Sequence, residues 1–335
     1  MSLPPVEIPL GAMRFNSDSQ KLEYFNGATW FQVHTEPASG LGGRAFRAGG
    51  GSGGTIIEYW NIASEGNAVD SGFDLSVGVH AHAAAGSRTR AVIAGGRSSG
   101  GAPWAEKNEI QYFQMASLSN TIDFGDLTAT VGRHDGHSNQ TRMITGGGQS
   151  SNDLMNLIII SSTGNATDFG NLTLGREGTS ACGSSTRAIW AGGNYYAPAE
   201  TSTNRIDYAT IATTGNAVDF GDLTNNRYFC SAMCNPVRAA WAQGYIVPSG
   251  ANATIDYTTI ATTGNATDFG DALAARYGSG KFSSPTRCGF TGGYTPTTFI
   301  QQIDINVRSD STKFGDLTAT GTYNGGHSDV HGGIV

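Results

Sequence analysis

Apolar and polar positions along this chain recur with a long period. Runs such as RAIWA at 187–191 are apolar on both faces, the pattern of a strand covered on both sides by neighbouring sheets. Each run ends in glycines and is followed by a stretch such as IDY at 206–208, where a polar Asp207 sits between apolar Ile206 and Tyr208, an alternating pattern. A TTGN turn and a third run, 217–223, come next, and a further strand, such as 227–234, leads into the next arginine. Four strands per unit are therefore predicted, labelled a to d, with the arginine-led run as strand b.

The units repeat. SSTRAIWAGG at 184–193 has relatives SRTRAVIAGG at 87–96, NQTRMITGGG at 139–148, NPVRAAWAQG at 235–244, SPTRCGFTGG at 284–293 and GGRAFRAGG at 42–50. IDYATIATTGNAVDFGDLT at 206–224 is matched by IDYTTIATTGNATDFGD at 255–271, and weaker copies end in DFGDLT, DFGNLT and KFGDLT. The leading arginines are Arg44, Arg90, Arg142, Arg187, Arg238 and Arg287, so successive units are 46, 52, 45, 51 and 49 residues long. Four strands at that period are the signature of a propeller blade, and the count is six. The first unit has no strand a, whereas the tail TATGTYNGGHSDVHGGIV aligns without a gap on TATVGRHDGHSNQTRM at 128–143 and supplies one extra. Residues 322–331 should thus complete the first blade and close the ring, leaving no free sheet edge. The expected fold is all-β: a six-bladed propeller over 44–335.

Residues 1–36 stand outside the repeat. MSLPPVEIPL reads as an extended arm, and GAMRFN, KLEYFN and TWFQV as three short strands with a hairpin turn at Asn26-Gly27. Residues 37–43 have the composition of a linker.

Composition narrows the function classes. The chain of 335 residues holds 48 glycines and is only 14% charged, but its 15 Phe, 12 Tyr and 5 Trp can build a core, which excludes disorder. A net charge of −7 argues against nucleic-acid binding. The longest apolar stretch, 154–160, is broken by Asn156, so no membrane insertion is expected, and no signal peptide is visible. Cys182, Cys230, Cys234 and Cys288 read as reduced core residues, with no CxxC among them.

The GG-closed, arginine-led strands resemble those of Kelch-type propellers. The IATTGNAxDFGDLT arrays resemble repeats in structural proteins of marine tailed phages, particularly cyanophages. The N-terminal stretch is similar to a β module of phage tail and fibre proteins, carried here by Gly11, Met13, Arg14, Phe15, Asn16, Lys21, Leu22, Glu23, Phe25, Asn26, Gly27 and Trp30. These resemblances imply a virion component, assembled in the host cytoplasm, that docks to other virion proteins through residues 1–36. They also imply a homo-oligomer in the particle.

Several motifs invite chemistry. DFG occurs once per blade in four blades, which suits a structural turn and not a kinase metal site. Gly49–Gly54 is read as a turn, not a phosphate loop. A calcium ligand set of Asn216, Asp219 and Asp222 does not have the spacing of a known calcium loop. The six strand-b arginines share an end of each blade with Asp70, Asp123, Asp168, Asp219 and Asp268, and are expected to staple turns through ion pairs or through bonds to carbonyls. Six histidines, His80, His82, His134, His137, His327 and His331, lie in or beside strand a, which lines the channel; with no cysteine or carboxylate cluster at fixed spacing they read as hydrogen-bonded channel residues, and no metal or other cofactor is expected.

Trp190 and Trp241 share a strand position held elsewhere by Ile93 and Phe290, which marks core. Trp104, Tyr195, Tyr196, Tyr245 and Tyr294 fall instead in b–c loops, where the repeats diverge most. The b–c and d–a loops emerge on one face of a propeller and the uniform SSTR and TTGNA turns on the other. Aromatic, Ser-, Gly- and Asn-rich loops on a rigid scaffold suit recognition of a glycan or protein, so these five residues are the candidate ligand-binding set. Three function classes follow: host-surface attachment, a structural decoration or joint whose loops contact neighbouring subunits, and a glycan-degrading enzyme. The last ranks lowest, because paired catalytic carboxylates outside the repeated turns are not evident and no catalytic residue stands out.

Overall fold

The computed structural model describes residues 8–9, 11–16, 21–32, 43–51, 54–98, 104–149, 152–196, 199–295 and 297–334. The chain divides into two compact units, Met1–Gly42 and Gly43–Val335. Most of the expected arm and of the 37–43 linker lies outside the described residues.

The first unit is a three-stranded antiparallel sheet of Met13–Asn16, Lys21–Phe25 and Trp30–Gln32 in sequence order. The expected turn joins the last two strands: the Asn26 side-chain oxygen accepts from the N–H groups of Ala28 and Thr29, and Gly27 takes a φ of 94° that favours glycine. The Arg14 guanidinium pairs with Glu23 at 2.9 Å and lies 4.2 Å from the Trp30 ring centre, so the module's charged and aromatic signature residues fasten its sheet.

The second unit is a six-bladed β-propeller with no α-helix among the described residues. Each blade is an antiparallel sheet with strands in the order a-b-c-d. Strand b of the fourth blade is Arg187–Ala191, as its two-faced apolar pattern predicts. The inner strand of the fifth blade, Ser231–Cys234, is shorter than the expected 227–234. Gly325–Ser328, the middle of the expected 322–331, pairs with Arg44–Ala48 of the first blade (Gly325↔Ala48 to Ser328↔Ala45), so the two ends of the chain share one sheet and close the ring.

Three belts of inter-blade bonds explain the repeat motifs. Each strand-b arginine donates to a carbonyl at the end of strand c in the following blade: Arg44 to Met115, Arg90 to Ile160, Arg142 to Ile211 and Ala212, Arg187 to Ile260 and Ala261, Arg238 to Ile305, and Arg287 to Ile62 and Ala63. Of the two expected forms of staple, the carbonyl form is the one that recurs. The facing aspartates do other work; Asp168, for example, accepts from the N–H of Gly170 in its own turn.

The second belt joins the GNA turn of one blade to the DFGD strand of the blade before it. Gly215 and Ala217 donate to the carbonyls of Phe169 and Asn171, while the Asn216 side chain accepts from Asn171 N–H at 3.1 Å. The strands meet so closely that a Cβ on Gly221 would lie 2.5 Å from the Gly264 carbonyl, at a φ of 146°. DFG is therefore a packing contact.

The third belt corrects the alternation read in strand c. Asp207 is fully buried, as are its counterparts Glu58, Gln111, Asn156, Asp256 and Gln301. A bulge at Ile206/Asp207 shifts the register against strand d, and the blade-to-blade stacking covers the face that would be solvated in an isolated sheet. Asp207 accepts from Thr173 Oγ1 of the preceding blade at 2.6 Å and pairs with Arg176 at 2.7 Å, both charges having no exposed side-chain surface. Arg227–Asp256 and Arg47–Glu58 repeat the pairing at 2.9 and 2.7 Å. Trp190 and Trp241 are fully buried, as expected, and their indoles donate to the carbonyls of Asp135 and Ser180 in the preceding blade. All four cysteines are buried and free.

Candidate functional site

At the loop face the d–a loops converge on the axis. Ala81, Arg133, Gly178, Phe229, Gly278 and Tyr323 hold one repeat position, one per blade, each with a φ between 51° and 65°. Their backbones form a closed circle, in which Ala81 N–H donates to Tyr323, Tyr323 to Gly278, Gly278 to Phe229, Phe229 to Gly178, Gly178 to Arg133 and Arg133 to Ala81. Six such bonds, each worth about 0.5–1.5 kcal/mol net, hold four non-glycine residues in a conformation that costs each about 1–3 kcal/mol. Their side chains are thereby fixed at the channel mouth.

Above this circle lies a cavity of about 600 Å³. Its walls combine the b–c residues Arg97, Trp104 and Tyr294 with His80, Arg133, Phe229 and Tyr323 from the d–a loops. Trp104 and Tyr294 are 46% and 50% exposed. The His80 ring packs edge-on to Trp104 at 4.8 Å, and the Arg97 guanidinium lies 5.9 Å from the same indole. Burial, with Arg97 and Arg133 adding to it, pushes His80 down to about 4, so it is a neutral imidazole at physiological pH. The Nδ1 of His80 and the Nε of Arg97 are buried without a hydrogen-bond partner.

Of the five loop aromatics singled out from the sequence, Trp104 and Tyr294 line this cavity. Tyr245 supports it from behind: Tyr228, Tyr245, Tyr277 and Tyr294 form a chain of ring contacts at 5.6, 5.0 and 4.7 Å, and the last pair is stacked. Tyr196 reaches it indirectly, its hydroxyl donating to Glu177 at 2.7 Å while Glu177 holds Arg133 at 2.6 Å. Tyr195 pairs with Thr201 in a short hairpin and is not among the lining residues. Arg97, Arg133, Phe229 and Tyr323 escaped the sequence reading, and His80 was read only as a channel histidine. The sequence signal for three of them was available, since Arg133, Phe229 and Tyr323 occupy a d–a position that varies from blade to blade on the face already chosen.

No protein-family model matches the chain, and no curated protein matches it in sequence. The site stands on its geometry.

Below the circle the channel narrows. His82 and His134, at one repeat position in adjacent blades, have both ring nitrogens buried and unpartnered, and burial holds each near 3, hence neutral. Lys281 crosses the axis, where its neighbours at the same repeat position are alanines and glycines; its ammonium binds Asp135 and donates to the Ala181 carbonyl at 2.7 Å. Farther in, His137 and His331 do not remain ordinary channel residues without a cysteine nearby: the fold brings Cys234 to them from another blade, with one ligating atom of each within 4.8 Å of the others.

Proposed function

We propose that this chain is a phage virion component, docked by its N-terminal module, whose loop face binds a glycan of the host surface. The virion half of the reading rests on the repeat and module resemblances. The binding half rests on one observation: a concave site of about 600 Å³ walled by the half-exposed Trp104 and Tyr294 and by the cationic side chains Arg97 and Arg133. That volume falls in the range of small-ligand sites, about 300–1,000 Å³, and suits one or two sugar units. Aromatic faces stack on the C–H faces of a sugar, and the Arg97 and Arg133 guanidinium groups that line the site can donate to its hydroxyls. No carboxylate pair is needed for this task, and the reading is of a binding site and not of an enzyme.

The test is retention of the purified protein on surface polysaccharide from host cells, measured for wild type, Trp104→Ala and Tyr294→Ala. Loss of each stacked ring should weaken binding by about 1–2 kcal/mol, or roughly 5- to 30-fold, with the thermal midpoint unchanged. Equal retention of all three proteins would contradict the assignment of the site.

A further inference from the structure

The channel floor, opposite the glycan-binding face, carries a second arrangement of reactive groups. His137 comes from strand a of the third blade, Asp135–Ser138, and Cys234 from strand a of the fifth, Ser231–Cys234. His331 belongs to the tail that follows the ring-closing strand. All three are buried, and they border a cavity of about 30 Å³ together with Cys182 and His327.

We propose that His137, Cys234 and His331 form a binding site for a divalent transition-metal ion of the zinc type, which fastens the C-terminal tail into the propeller. Two imidazoles and a thiolate are ligands that such an ion takes, and three protein ligands with a water in the fourth position make a tetrahedral set. The cavity has room for the ion and a water at about 10–15 Å³ each. In a tetrahedral site the ligand atoms lie about 3.4–3.8 Å apart, so atoms now within 4.8 Å need side-chain rotations of about an ångström.

The surroundings fit that role. The His137 Nε2 lies 3.0 Å from the Ser184 carbonyl, and a proton donated there leaves Nδ1 as the lone-pair atom. A metal-ligating histidine is held in that way, through its other nitrogen to a backbone carbonyl. His331 has the same choice: Nε2 faces the Gly86 carbonyl at 3.4 Å, and Nδ1 accepts from Gly333 N–H at 3.1 Å. Cys182 borders the same small cavity as Cys234. On uptake of the ion Cys234 gives up its proton to solvent and binds as thiolate, and the Gly333 N–H bond to Nδ1 is exchanged for the coordinate bond. Lys281, which borders the cavity, is paired with Asp135. The tail is also held by Asp329, whose carboxylate accepts from the N–H groups of Gly43 and Arg44, and by Arg88 and Gln140, which donate to the Ile334 carbonyl.

The full chain, purified without a histidine tag, is loaded with cobalt(II) and separately with zinc, and freed of loose metal on a desalting column. The proposal predicts about one ion per chain by mass spectrometry of the metals. The cobalt form should show a thiolate-to-metal charge-transfer band. Cys234→Ser should abolish the band, and Cys234→Ser and His331→Gln should each lower zinc occupancy by at least about tenfold with the fold intact by circular dichroism. Cys182→Ser, outside the ligand set, should keep most of the ion. If a ligand variant fails to fold, proteolysis of the wild-type tail decides: zinc should slow cleavage after residue 328 and chelator should restore it. Less than a tenth of an equivalent bound, a cobalt spectrum with no thiolate band, occupancy unchanged in both ligand variants, or tail cleavage indifferent to zinc would each overturn the proposal.

Discussion

Replacing Arg187 by methionine tests whether the strand-b arginines clamp neighbouring blades together. The guanidinium donates from one nitrogen to the carbonyls of Ile260 at 2.7 Å and Ala261 at 2.9 Å in the next blade, and lies 4.8 Å from the Tyr208 ring centre. A hydrogen bond from a charged donor contributes about 1.5–3 kcal/mol, and because one nitrogen serves both carbonyls they count together as about 2 kcal/mol. The cation–π contact adds about 0.5–1 kcal/mol at a half-exposed site. Methionine keeps most of the stem's packing, so the expected loss is about 2.5–3 kcal/mol, or roughly 5 °C in Tm for a domain of this size. Arg142→Met provides the internal comparison. It makes the same two carbonyl bonds, to Ile211 and Ala212, but Leu157 stands where Tyr208 does in the next blade. Its loss should be smaller by the cation–π increment. Differential scanning fluorimetry and urea titration measure both. An Arg187→Met protein within about 1 °C of wild type would refute the clamp.

Two further outcomes follow from the buried charges and the channel. Arg176→Met should cost about 3–5 kcal/mol by stranding Asp207 in a site with no solvent, whereas Arg176→Met with Asp207→Leu should recover most of it, as urea unfolding would register. His82 and His134 are held neutral near 3 in the fold and titrate near 6.5 when unfolded, so the unfolded chain binds more protons below pH 6.5 and stability falls as pH drops through that window. Each should cost about 2 kcal/mol at pH 5; besides burial, the groups acting on His82 are His134 and His80, and His134→Gln should flatten the Tm–pH profile between pH 4 and 6.5 by about its own share.

The architecture was legible because each repeat states the same inter-blade contact. Arginine opens strand b in all six copies since a carbonyl of the next blade awaits it, and the DFG glycine recurs where another backbone leaves no room for a Cβ. Closure was legible from the tail's match to a strand-a segment. What misled was the single-sheet logic applied to strand c: Asp207 has the pattern of an outward residue, but stacking of blades buries both faces, and its partners Arg176 and Thr173 lie outside its own strand. The candidate sites were half legible. Loop divergence pointed to Trp104 and Tyr294, but His80 and Arg97 look ordinary until the ring of loops gathers them. The Cys234, His137 and His331 cluster joins residues 97 and 194 positions apart (137 to 234, 137 to 331), so no local spacing could announce it.

The measurement that bears most directly on the account is immunogold electron microscopy of virions from a lysate containing this chain, with antibody raised against residues 43–335. An attachment protein should place gold on the distal tail appendages. Gold confined to the head or the tail shaft, or absent from every particle, would contradict it.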